Sequence, residues 1–144
     1  MTDAEYKLLE ELRSYTLIKK DIKRLEERLE RSVCNITPNY SFTGGGSGSF
    51  QSSKTEMLAI RRMDTERELK RKRDQISRID LAVMNAGLNK REKDLVLHTI
   101  NGNSLSSYAR QENIYKSYVY KIRDNALKKM VNFIQKAQNE RNSR

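Results

Sequence analysis

Lys116, Ser117, Tyr118, Tyr120 and Lys121 crowd together in the stretch "QENIYKSYVYKIRDNALKKM", residues 111 to 130. Arg110 stands just before this cluster; Tyr115 adjoins it; Arg123, Lys128 and Lys129 follow. Lysine and arginine neutralise phosphates and donate to guanine edges. Serine and tyrosine hydroxyls bond to phosphates or bases. The chemistry on offer is recognition of a polyanion. Catalytic sets are missing from the pattern. No carboxylate pair or Ser/His/Asp set stands out. His98 has no cysteine or acidic cluster at metal-ligand spacing, and Cys34 has no histidine near it in sequence. The expectation is a binding protein, not an enzyme, with no cofactor and no metal.

Three helices are needed to hold that cluster. The first is expected over about Lys90 to Ile100, with Leu95, Val96 and Ile100 facing inward. Asn101-Gly102-Asn103 reads as a turn, since both residue types tolerate positive φ. The second helix begins after Asn103 or Ser104 and runs to about Glu112, with Leu105, Tyr108 and Ala109 as its inner face. Glu112-Asn113 is a tight turn. The third helix starts near Tyr115 and continues to about Gln138, with Val119, Ile122, Ala126, Met130 and Phe133 or Ile134 on one side. A helix-turn-helix needs a small residue where its helices cross, and Ala109 fits. It needs an apolar residue after the turn, and Ile114 fits. It needs apolar residues that seat the second helix, and Val119 and Ile122 fit. The plain alternative is two helices of a bundle with a basic surface.

Charge supports the first of these. The net charge is +10 and the pI is about 9.8. Residues 85 to 144 hold twelve basic and five acidic residues, whereas residues 1 to 43 hold eight of each. The excess therefore sits with the basic cluster at residues 110–129, and nucleic acid is the first candidate partner. Hydrophobic content is 36% and charged content 33%, a lean core that favours an elongated helical chain. No apolar run approaches the ~20 residues of a membrane span. The acidic, amphipathic start "MTDAEYKLLEEL" is unlike a signal peptide, and a single cysteine allows no internal disulfide. A cytoplasmic protein with no membrane partner is expected.

Two long helices come before the C-terminal unit. Leu8, Leu12, Tyr15, Ile18, Ile22, Leu25, Leu29 and Val33 recur at steps of three or four, one continuous stripe over residues 1–34, capped by Thr2 or Asp3. Residues 35–52 contain "TPNYSFTGGGSGSF" and read as a Gly/Ser-rich linker, with Tyr40, Phe42 and Phe50 available to pin it. Gly48 is followed by Ser49 and Phe50, so the spacing of a phosphate-cradling loop is absent. A second long helix is expected over 53–86, opened by a Ser53–Glu56 capping box and carrying Met57, Ile60, Met63, Leu69, Ile76, Ile79 and Val83 as its stripe. Its basic run Lys70 to Arg73 is a solvated face or a phosphate contact. Helices of similar length around a long linker imply an antiparallel hairpin. Residues 87–144 then form the helix-turn-helix unit.

The segment "LNKREKDLVLHTINGNSLSSYARQENIYKSYVYKIRDNALKKM" resembles the region-4 helix-turn-helix of bacterial sigma factors. Ala109, Ile114, Val119, Ile122, Ala126 and Leu127 stand at the matching places. The whole chain, with its N-terminal helix, loop, "SKTEM" segment and charged helix, is similar to phage late-gene activators of the RinA and ArpU families. Tyr108 departs from the usual Ile, Asn113 from the usual Gly, and Tyr115 from the usual capping Ser or Thr. No counterpart of the promoter-opening sigma segment is present.

The resemblance implies an all-α fold: a long antiparallel helical hairpin joined to a sigma region-4-like helix-turn-helix. It also implies a sequence-specific transcription regulator in a bacterial host cell, an activator of late packaging or lysis genes. Its partner would be double-stranded DNA, and the long helices could also meet RNA polymerase; a dimer is favoured because one short recognition helix gives weak affinity alone and two half-sites multiply it. The DNA-binding residues expected are Arg110, Tyr115, Lys116, Ser117, Tyr118, Tyr120, Lys121, Arg123 and Lys128, with Lys129 as a further phosphate contact. The alternatives are a small-terminase-like DNA-packaging protein and a helical scaffold without nucleic acid.

Overall fold

The structure, a computed structural model, describes residues 1–35 and 48–144, apart from the side chains of 33–35 and 48–54. The fold is all-helical. Among the described residues the elements are α1 (Asp3–Arg13), α2 (Tyr15–Asn35), α3 (Gly48–Asn85), α4 (Lys90–Ile100), α5 (Leu105–Glu112) and α6 (Lys116–Asn142), with no strand. Among the described residues no helix is long and apolar enough to cross a membrane.

Local chemistry explains where α1, α4 and α5 begin. Thr2 caps α1: its hydroxyl accepts the Glu5 amide at 3.4 Å, and the Glu5 carboxylate accepts the Thr2 amide at 3.1 Å. Ser104 caps α5 by accepting the Ser107 amide at 3.1 Å. At α4 the Glu92 carboxylate reaches back to the Asn89 amide at 3.0 Å. The stop of α4 follows from Gly102 at φ +83. The Gly102 amide bonds Thr99 O at 3.0 Å and the Asn103 amide bonds His98 O at 3.2 Å, which satisfies the last carbonyls of the helix.

Two departures from the expected elements have local causes. The first long helix is divided at Ser14, which ends α1. The hydrogen-bond ladder still passes through: Ser14 N–H donates to Glu10 O and Ile18 N–H to Ser14 O, each at 2.9 Å. Serine favours helix less than alanine or leucine does, and the continuous ladder keeps the deviation one residue long. The second long helix begins at Gly48, not at Ser53. Ser53 is thus inside α3 and cannot be its cap. Only glycine and proline strongly oppose helix, and none stands between Ser49 and Asn85. The linker therefore loses residues 48–52 and Asn35 to helices. Its remainder (36–47), with Tyr40 and Phe42, lies outside the described residues, as do the side chains of Val33, Cys34, Phe50 and Ser53.

The chain forms two compact units: Met1–Lys19 with Gln75–Arg144, and Lys20–Asp74. The first joins the N-terminal residues to the segment from Gln75 onward. It recruits α1, which packs on α6 and α4 and buries Leu8, Leu9 and Leu12. Three adjacent leucines on a short helix cannot be left in water, and α6 is long enough to cover them. Tyr15 is buried here and donates to Asp80 Oδ1 at 2.6 Å. Arg78 pairs with Glu11 at 2.9 Å. Ile79, Ala82, Leu95, Val119, Ala126, Leu127 and Met130 are each almost fully enclosed.

In the second unit, Leu25 of α2 and Leu69 of α3 are buried. Lys72 of α3 bonds Asp21 of α2 at 2.8 Å, and Arg73 pairs with Glu26. The Lys72 ammonium holds the Asp21 carboxyl below the usual carboxylate range. Lys72 and Arg73 are thus engaged within the chain. Met57, Ile60 and Met63 were expected on the buried stripe and are instead 56%, 58% and 51% exposed.

Candidate nucleic-acid interface

The junction of α5 and α6 rests on one residue. Asn113 sits in the left-handed region at φ 53, ψ 47, the sole non-glycine with positive φ among the described residues. Asn tolerates this conformation better than other non-glycine residues. The bend lets the Ile114 amide donate to Ala109 O at 3.0 Å and the Asn113 amide to Arg110 O at 3.3 Å. The chain thereby leaves α5 with its carbonyls satisfied and Ile114 turned inward. Ile114 and Leu105 pack on a core of Leu95, Tyr108, Ala109, Val119 and Ile122. Residues from α4, α5 and α6 meet in that one cluster, so the three helices are fixed against one another.

Tyr108 fills the place of an aliphatic side chain. It is 3% exposed, and its hydroxyl donates to Arg91 O at 3.4 Å. Burial, then the Glu112 and Asp94 charges, push its phenol above the ordinary range. The His98 ring meets it edge-on at 5.4 Å. His98 Nε2 also lies 2.8 Å from Ser107 Oγ and 3.2 Å from Ser104 O, which ties α4 to the start of α5.

A second anchor joins α4 to α6. Glu92, 5% exposed, accepts from Lys129 Nζ at 2.9 Å as well as from the Asn89 amide. Lys129 was expected to hold phosphate; its ammonium is instead committed to Glu92, with Gly87 O a further 3.5 Å contact.

The start of α6 is open. Tyr115 takes the N-cap position in extended backbone, yet its side chain makes no capping bond and is 86% exposed. Its carbonyl accepts from Tyr118 N–H at 3.0 Å and Val119 N–H at 3.2 Å. The helix then turns Val119, Ile122, Ala126 and Met130 inward. Ser117, Lys121, Asp124 and Lys128 follow at steps of four, three and four on the opposite side. Ser117, Lys121 and Lys128 are exposed, as are Lys116 and, on α5, Arg110.

Tyr118 and Tyr120 flank that outward row and are 46% and 38% exposed. Arg91 lies over the Tyr118 ring at 6.0 Å and Arg123 over the Tyr120 ring at 4.9 Å. Arg123 is half-buried and already answered by Asp124 at 2.8 Å. Its charge is less available than that of Lys116 or Lys121. Lys128 is set apart differently: thirteen residues on from Tyr115, it stands about 20 Å further along the helix axis. The expected residues thus divide into a tight group at the start of α6 and outliers on either side.

Two arginines escaped the sequence reading. Arg91 reaches Tyr118 from the first turn of α4. Arg13 of α1 lines a cleft of about 550 Å³ with Asn103, Ser104, Tyr120 and Arg123. Neither has a local signal, because each is brought to α6 by packing of distant segments. Comparison with protein-family models, with curated proteins and with solved structures returns no match.

Proposed function

We propose that α5, the Asn113 turn and α6 act as a helix-turn-helix that reads the major groove of double-stranded DNA, and that the chain is a phage-type transcription regulator of the late-gene activator kind. One observation carries the reading. A left-handed turn with an inward Ile114 seats α6 through Val119 and Ile122, and so leaves Lys116, Ser117, Tyr118 and Lys121 exposed at its start. That is the part of a recognition helix that meets base edges.

The roles follow from position. Ser117 and Lys121 contact bases. Lys116 and Arg110 hold phosphates on either side, and Lys128 meets the backbone further along. The uncapped amides at the start of α6 add partial positive charge where a phosphate can approach. The two long helices pair as an antiparallel hairpin, supported by the Lys72–Asp21 contact. They serve association between copies or contact with RNA polymerase. One recognition helix alone binds weakly; two in a dimer engage two half-sites.

The test is fluorescence anisotropy with a random duplex across a salt series. Binding at low salt that falls steeply with salt supports the reading, since each neutralised phosphate releases counterions. No binding at micromolar protein and low salt overturns it.

A further inference from the structure

Between Glu56 and Arg67, α3 carries a row of apolar side chains that no described residue of its own unit encloses. Met57, Ile60 and Met63 are 56%, 58% and 51% exposed. Leu69, nine residues beyond Ile60, and Lys72, nine beyond Met63, lie two and a half turns on, so on the opposite side of the helix. Both are engaged inside the unit: Leu69 is 5% exposed and Lys72 bonds Asp21. The row is therefore a second apolar face, directed away from the first.

The spacing of this row is one that a second copy of itself can match. Glu56, Ile60, Met63 and Arg67 stand at steps of four, three and four. This is the seam spacing of a helix that packs on another helix. It is also palindromic: read backwards, the steps are the same. Glu56 and Arg67 form no ion pair among the described residues. They lie about 16 Å apart along the axis, out of each other's reach.

We infer that this face of α3 docks on the same face of a second copy of the chain, antiparallel, with Ile60 against Met63 and Glu56 against Arg67. Two-fold symmetry makes each contact twice. Two methionine–isoleucine layers fill the centre, and an acid–base pair closes each end. A parallel arrangement sets Glu56 beside Glu56 and Arg67 beside Arg67, and like charges oppose it. The contact is only three turns long, below the size of a permanent interface, so the dimer is weak, in the micromolar range. The inference deepens the dimer of the reading above. Its test contains no DNA, so failure of either leaves the other standing.

The experiment is sedimentation equilibrium on the full chain. The wild type is expected to show a concentration-dependent monomer–dimer equilibrium. Glu56→Arg alone, or Arg67→Glu alone, turns both end pairs into like-charge contacts and weakens the dimer roughly tenfold. Glu56→Arg together with Arg67→Glu restores it. Ile60→Lys abolishes it. Every substitution is at an exposed position, and unchanged helical circular dichroism checks the fold of each variant. A wild type that stays monomeric throughout, or a double exchange no tighter than either single variant, overturns the inference.

Discussion

The Ile114 amide donates to the Ala109 carbonyl at 3.0 Å across a single left-handed residue, Asn113. This contact ends α5, turns Ile114 into the core and sets the direction in which α6 departs. The exposure of Lys116, Ser117 and Lys121 follows from it, because Val119 and Ile122 then face inward.

Asn113→Gly is expected to keep stability within about 0.5 kcal/mol, since glycine adopts the left-handed conformation freely. Asn113→Val is expected to cost about 2 kcal/mol, because a β-branched side chain meets the carbonyl there. Urea unfolding followed by circular dichroism measures both. Equal stability of the two variants contradicts the role given to the turn.

Glu92 is a buried carboxylate with two partners, and its removal is felt at both. Glu92→Ala loses the cap of α4 and the ion pair to α6, and is expected to cost about 2 kcal/mol. Lys129→Ala costs a similar amount by leaving Glu92 enclosed without its cation. Thermal unfolding of the two single variants and the double variant gives the coupling; simple additivity contradicts a direct pair.

Tyr15 supplies a pH dependence. Burial, then the hydrogen bond and charge of Asp80, push its phenol from 10.0 up to about 12. The folded chain thus holds the proton more tightly than the unfolded one. The stabilisation is fully present below pH 10 and is lost as pH rises towards 12. Tyr15→Phe is expected to flatten the fall in stability across that window, with Tyr108 accounting for part of the remaining slope. Unfolding midpoints at pH 9 and 11 (chosen to bracket the tyrosine reference value) test it. An unchanged slope removes Tyr15 as the cause.

Adjacent lysines are expected to behave differently towards DNA. Lys116→Ala and Lys128→Ala each lower the salt slope of binding by about 1, one phosphate contact apiece. Lys129→Ala leaves the slope unchanged, because its ammonium already bonds Glu92. Anisotropy titrations below the unfolding temperature distinguish them. A slope lowered equally by Lys128→Ala and Lys129→Ala contradicts the assignment.

Where residue chemistry acts locally, the sequence was legible. Gly102 and Asn113 marked their turns because each turn requires positive φ. Helix α4 runs from Lys90 to Ile100 as its periodicity implies. Tyr115 stands at the N-cap without capping, as its side chain dictates. What depended on distant packing was not legible. Nothing in "KREKDLVLHTI" announces that Arg91 meets Tyr118, or that Glu92 takes Lys129. The stripe of α3 misled for a different reason. Met57, Ile60 and Met63 share a helical period with Leu69 and Ile76 but not a phase. The gap of six between Met63 and Leu69 marks a change of face, and periodicity alone does not tell one apolar face from two. Recruitment of α1 to the C-terminal helices left no trace in spacing, since three leucines require cover without naming it.

Whether α6 reads DNA is decided by selection of bound sites from a random duplex pool, run with the wild type and with Lys121→Glu. The wild type is expected to enrich a defined motif, and the variant to lose or alter it at the positions facing Lys121. Recovery of the same motif by both proteins contradicts α6 as the element that reads DNA.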